Sequence, residues 1–139
     1  MPDYLMDTGP LVAYFNADDE WHAWSVGALN NLGQPFHTTE LVVCEVCHFL
    51  RKYVQKNSMR EFWEFLESGD LQICATLPGA TPRLKALMDK YEQMDVADAS
   101  LVALSEQHPR ARRVTLDSRD FTVYRRNDGS PVPCIMPAQ

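Results

Sequence analysis

Tyr4-Leu5-Met6-Asp7-Thr8-Gly9-Pro10-Leu11-Val12 decides the reading of the fold, because a short apolar run ends in a carboxylate and turns at once into a helix. Tyr4 to Met6 reads as a buried strand. Pro10 lacks an N–H that a first helical turn would leave unpaired anyway, so it opens a helix through Phe15. Val114-Thr115-Leu116-Asp117 repeats the pattern near the other end, with a strand over Val114 to Leu116 that closes on an acid. Between them, Asp18, Asp19 and Glu20 begin an amphipathic helix that reaches about Leu32, with Gly33 as its stop. Phe36 to Thr38 is a second strand, and Thr39 caps the helix that carries Glu45 to about Val54. Ser58-Met59-Arg60-Glu61 matches a capping box ahead of Phe62, Phe65 and Leu66 on one helical face. Leu71 to Ala75 and Pro133 to Met136 read as strands, Pro82 to Tyr91 as a helix. Asp95 caps a further helix from Val96 to about Gln107. Strands separated by helical patterns imply βαβ units: an α/β domain with a short, mainly parallel central sheet flanked by helices.

A chain of 139 residues with 45% hydrophobic content suits one domain, 1–139, with a single core. No apolar run reaches the roughly 18 residues of a membrane span, and the start lacks the pattern of a signal peptide. A cytoplasmic, soluble protein without membrane contact is expected, its four cysteines reduced and in the core. The net charge of −6 argues against a binder that grips nucleic acid through a broad basic surface. The cations are nevertheless grouped, as Arg51, Lys52 and Lys56; Arg110, Arg112 and Arg113; Arg119, Arg125 and Arg126. Such groups are either solvated helix ends or a basic rim suited to a phosphate backbone.

The acids carry the chemistry. In open parallel sheets, ligands collect outside the carboxyl ends of the strands. Asp7 and Asp117 close strand patterns. Glu45 interrupts the apolar stretch Leu41-Val42-Val43-Cys44-Glu45-Val46-Cys47, and Asp98 sits at the third position of its helix. These four are expected to converge. Clustered carboxylates repel one another unless protons or cations neutralise them, and Mg²⁺ or Mn²⁺ favours all-oxygen sites. That chemistry points to metal-dependent phosphodiester hydrolysis. Blander roles stay open: Asp7 as a turn cap, Asp98 as a partner of the helix dipole, Asp95 as a cap on the same face as Asp98. Asp117 and Asp120 compete for the fourth acidic place, with Asp117 favoured because it follows the strand directly. Thr8, Ser100 and Thr115 lie beside acids, where a hydroxyl orients a carboxylate, holds water or satisfies local backbone. Arg119 faces either a phosphate or solvent.

Four segments together resemble the PIN-domain ribonucleases, in particular the VapC-type toxins of toxin-antitoxin pairs. They are Met6-Asp7-Thr8-Gly9-Pro10-Leu11-Val12, Val43-Cys44-Glu45-Val46, Asp95-Val96-Ala97-Asp98-Ala99-Ser100-Leu101-Val102-Ala103-Leu104 and Thr115-Leu116-Asp117-Ser118-Arg119-Asp120-Phe121. The resemblance covers essentially the whole chain and implies a three-layer α/β/α domain. It further implies that Asp7, Glu45, Asp98 and Asp117 are catalytic ligands of Mg²⁺ or Mn²⁺, and that RNA is cleaved endonucleolytically by metal-activated water. An antitoxin partner and a homodimer are also implied, with the aromatic helix from Ser58 to Ser68 supplying dimer contact. A catalytically silent PIN-like module that binds RNA or a partner, and a free-standing nuclease without antitoxin, are the alternatives. Two further patterns are decoys. Asp7-Thr8-Gly9 matches an aspartic-protease tripeptide in a chain too helical for that fold. Cys44-Glu45-Val46-Cys47-His48 matches a haem-attachment pattern but lies inside a helix and lacks an export signal.

Overall fold

Strand β1 (Tyr4–Met6) runs through the middle of a parallel sheet, with β2 (Phe36–Thr39) and β3 (Leu71–Cys74) on one side and β4 (Arg112–Val114) and β5 (Cys134–Ile135) on the other. This computed structural model describes residues 2–53, 56–118 and 123–138. Helices α1 (Thr8–Tyr14), α2 (His22–Leu32), α3 (Glu40–Tyr53), α4 (Lys56–Glu67), α5 (Leu77–Lys90) and α6 (Val96–Gln107) connect and flank the strands. The α/β architecture with a short parallel sheet is the one the sequence implies, and the four strand pairings among the described residues are parallel.

Register positions the site. Leu5 of β1 stands opposite His37 in β2 and Arg113 in β4. The Asp7 amide then donates to the Val114 carbonyl at 3.1 Å, which brings the carboxyl ends of β1 and β4 level. Leu5, Met6, Leu11, Phe36, Val42, Val46, Leu50, Phe62 and Val114 are wholly buried in the main core. Helix α6 is buried on several faces because Leu101 and Leu104 meet this core while Val102 and Ala103 pack with Leu84 and Leu87 of α5. Phe15, Phe62 and Phe65 form edge-to-face pairs, with ring centroids 5.6 and 5.7 Å apart.

Several boundaries differ from the sequence reading. Helix α2 starts at His22 rather than Asp18, since Asn16 and Asp19 accept local backbone N–H groups (from Asp18 and Trp21) and hold a turn there. Helix α4 begins ahead of Ser58, so the capping box goes unused and Ser58 is buried within the helix. Helix α5 starts at Leu77, earlier than Pro82, and bends at Ala80. Glu40 anchors its start by accepting from the Thr76 amide and hydroxyl and the Leu77 amide. Strand β4 ends at Val114, so the reading over Val114 to Leu116 overlaps it by one residue. Arg112 and Arg113 look too polar for a central strand, but Arg113 is neutralised in place. Cys44 is exposed, contrary to the expected core position, whereas Cys47, Cys74 and Cys134 are half-buried, the first two of them packed against the main core; all four are free. Phe62 is fully buried within its own chain, whereas Trp63 is 48% exposed, so Phe62 is no dimer contact. Val54, Arg119 and Asp120 lie outside the described residues.

Candidate active site

Asp7 follows the last residue of β1 and is the N-cap of α1, with its Oδ1 accepting from the Thr8 amide at 2.8 Å. Its Oδ2 accepts from the Thr115 hydroxyl at 2.8 Å and from Nη2 of Arg113 at 2.5 Å. The Asp7–Arg113 pair is largely buried, with side chains 11% and 2% exposed. Burial alone would raise the Asp7 carboxyl. The Arg113 charge and the hydrogen bonds from Arg113, Thr115 and Thr8 outweigh it and hold the group below the usual carboxylate range. Arg113 keeps its proton despite burial because Asp7 and, more weakly, Asp98 favour the cation.

Asp98 lies at the third position of α6, where it and Asp95 form a reciprocal cap. Asp95 Oδ1 accepts from the Asp98 amide at 2.8 Å, and Asp98 Oδ2 accepts from the Asp95 amide at 3.5 Å. Two carboxylates at one helix N-terminus suit the partial positive charge there. The other oxygen of Asp98, Oδ1, is 3.9 Å from Arg113 Nη2. Glu45 projects from α3 into the same space. Burial raises its carboxyl first, and the charges of Asp95 and Asp7 raise it further. The Thr8 hydroxyl faces Glu45 without reaching hydrogen-bond geometry, so it offsets this only in part. Asp117 is half-buried, and its amide donates to Thr115 Oγ1 at 3.1 Å.

Asp7, Glu45, Asp95, Asp98 and Asp117 thus line one cavity of about 860 Å³ at the carboxyl edge of the sheet. Thr8 and Thr115 line it as well. Gly9 lies close against the loop: a Cβ there would stand 3.3 Å from Leu116 Cδ1, so the Leu116 side chain, next to Asp117, would have to give by a few tenths of an ångström. Ser100 lies elsewhere. Fully buried, it donates to the Ala97 carbonyl and shares a 2.7 Å hydrogen bond with Thr39, tying α6 to the start of α3. Thr39 itself accepts from the Val42 amide, the cap expected for that helix.

Four lining groups escaped the sequence reading. Asp19, Glu20 and Trp21 read as a helix start but reach the cavity as a turn, and Phe49 lies one helical turn beyond Glu45. The spacing of four residues between Glu45 and Phe49 was the available signal. Arg113 was grouped with surface cations. It lies instead behind Asp7 and Asp98, and among the described residues no lysine or arginine lines the cavity, so the basic rim is not found there. Arg126 is engaged with the Ser130 hydroxyl and the Pro109 carbonyl.

The donor chemistry suits a hard dication, since the polar lining is carboxylate and hydroxyl oxygen, the former strained by mutual repulsion. Thr8 Oγ1 is also buried without a hydrogen-bond partner at its edge. As they stand, no three His, Cys, Asp or Glu side chains among the described residues are grouped closely enough to hold an ion.

The PIN-domain family profile matches residues 4–127, and the chain belongs to that family. Solved structures share the fold. A toxin-antitoxin complex from Klebsiella pneumoniae aligns with TM-score 0.69 at 20% identity, covering 98% of each chain. Mycobacterium tuberculosis VapC20, a sarcin-ricin loop cleaving toxin, aligns with TM-score 0.72 at 12% identity over 79% of this chain and 86% of its own. VapBC2 from Rickettsia felis, bound to a DNA fragment from its promoter, gives 0.65 at 15% identity over 97% and 98%. Among curated protein sequences no match is found. Among the described residues no helix is long and apolar enough to cross a membrane.

Proposed function

We propose that this protein is a Mg²⁺- or Mn²⁺-dependent endoribonuclease and the toxin of a VapBC-type pair, with Asp7, Glu45, Asp98 and Asp117 as its catalytic carboxylates. The observation that carries the reading is the gathering of these four, from four separate segments, on one cavity at the carboxyl edge of the sheet. Asp19, Glu20 and Asp95 add to the same negative lining. A phosphodiester cannot approach such a surface without positive charge to screen it. A bound dication supplies that screening and lowers the pKa of a water to that of a usable nucleophile.

The chain's own residues prepare the site. Arg113 and Thr115 fix the Asp7 carboxylate and keep it ionised. Thr115 also holds the backbone of Asp117, so one hydroxyl sets two acids relative to each other. Asp95 orients the first turn of α6 and with it Asp98. Burial and the charges of Asp95 and Asp7 raise the Glu45 carboxyl above its ordinary value, and a cation bound beside it would offset that repulsion.

Trp21 and Phe49, 39% and 36% exposed, give the cavity an apolar flank. Apolar flanks beside an acidic centre suit an antitoxin segment that carries basic and apolar side chains, and they also offer a surface for RNA bases. Exposed Trp63 on α4 is the apolar contact available to a homodimer.

The test is single-turnover cleavage of RNA with Mg²⁺ or Mn²⁺ by wild type, Asp7→Asn and Asp98→Asn. The expected result is a rate at least about 100-fold lower in both variants, of the size seen when a group stabilising the transition state is removed. Undiminished cleavage in EDTA, or equal rates in all three proteins, rejects the proposal.

A further inference from the structure

Arg113 is a buried cation placed directly behind the acids, and the chemistry proposed above gives it no role beyond holding Asp7. Its Nη2 lies 2.5 Å from Asp7 Oδ2 and 3.9 Å from Asp98 Oδ1, so one guanidinium nitrogen stands between two carboxylates contributed by β1 and α6. A carboxylate oxygen has about two lone-pair positions to offer. Those of Asp7 Oδ2 are both taken, by Arg113 and by the Thr115 hydroxyl. Oδ1 accepts only from the Thr8 amide and keeps one. Asp7 is therefore equipped to ligate one ion through Oδ1, and it cannot place one oxygen on each of two.

Sites that use two ions hold them roughly 3.5–4 Å apart, clamped by shared carboxylates. In this protein a fixed positive charge already fills the space between Asp7 and Asp98. Resting on the metal-dependent reading above, we infer that Arg113 takes the place of a second ion, so that the site admits a single dication per chain. Arg113 offsets the charge of Asp7 from behind, without entering the cavity that the carboxylates line. Arg113 is thus a positioning residue that fixes the number of ions; it does not touch the reacting phosphate.

The experiment is a titration of the intact protein with Mn²⁺, free ion being read from its electron paramagnetic resonance signal, with circular dichroism as the check on folding. Wild type binds one Mn²⁺ per chain, and Asp98→Asn weakens that binding at least tenfold, which assigns the counted ion to this cavity. Arg113→Lys, which keeps the charge, also binds one, whereas folded Arg113→Met binds two. Two ions in wild type, or one in folded Arg113→Met, overturns the inference. If Arg113→Met does not fold, the wild-type and Arg113→Lys counts decide it. No Mn²⁺ bound by wild type at millimolar concentration is a different result, because it removes the metal-dependent reading itself.

Discussion

Replacing Arg113 by methionine removes a charge and leaves the volume nearly filled, which isolates the electrostatic part of the Asp7 environment. The pair lies 2.5 Å apart with side-chain exposures of 2% and 11%, so solvent screens it little. Breaking a buried pair by deleting one member costs about 3–5 kcal/mol, because the remaining charge is stranded. For a domain of this size that corresponds to a melting point lower by roughly 10–20 °C. Thr115 and the Thr8 amide still bond to Asp7, which argues for the lower half of the range. The measurement is urea unfolding at pH 7 in EDTA, so that no metal contributes. Because Asp7 titrates below its ordinary value in the native protein, its contribution is fully present above pH 3.8 and disappears as pH falls through the native pKa. The gap between wild type and Arg113→Met therefore narrows in acid. The double variant Asp7→Asn, Arg113→Met should lose less than Arg113→Met alone, since no unpaired charge is left buried. A loss under about 1 kcal/mol, the size of an exposed ion pair, would refute the reasoning.

Thr115→Val keeps the shape and removes two hydrogen bonds, to Asp7 Oδ2 and from the Asp117 amide; we expect a stability loss of about 1–3 kcal/mol by denaturant unfolding and a fall in RNA cleavage rate. Gly9→Ala sets a methyl group 3.3 Å from the Leu116 side chain, next to Asp117, and should reduce cleavage more than it reduces melting temperature, because a shift of a few tenths of an ångström there reaches an acid of the site before it reaches the core. Asp95→Ala removes a helix cap at about 0.5–2 kcal/mol, read by thermal unfolding, and should leave far more cleavage activity than Asp98→Asn does. Glu45 carries a raised pKa, so Mn²⁺ affinity should climb as pH rises from 4.5 through the native value of that group; a flat calorimetric profile in that direction would argue against Glu45 as a ligand.

The elements that position the acids were legible because each has a local cause. Pro10 lies in the first turn of α1, although that helix starts two residues earlier at Thr8 under the Asp7 cap; Thr39 caps α3, and Asp95 with Asp98 caps α6. Asp7, Glu45, Asp98 and Asp117 could be picked out because a carboxylate in an apolar pattern demands compensation, and all four line the cavity. What compensates Asp7 was not legible. Arg113 stands 106 positions away in sequence, and two adjacent arginines resemble a solvated strand end unless the partner acid is known to lie opposite. Strand β4 was placed too late for the same reason, since Leu116 is apolar for contact with Gly9 and not for the sheet. For Ser100, beside an acid in sequence, both a role at the site and a local backbone role were open, and its hydroxyl bonds to the Ala97 carbonyl and to Thr39 inside the core.

The central position of β1 sets a schedule for the molecule's own synthesis. Its neighbour β4, which brings Arg113 and Thr115 to Asp7, comes from the last third of the chain. Until that segment leaves the ribosome, Asp7 has neither its guanidinium nor its hydroxyl, and one long flank of β1 is bare. The carboxylate of Asp7 is thereby tied to partners 106 and 108 positions further along, and a product truncated before β4 would carry that acid without the groups that hold it.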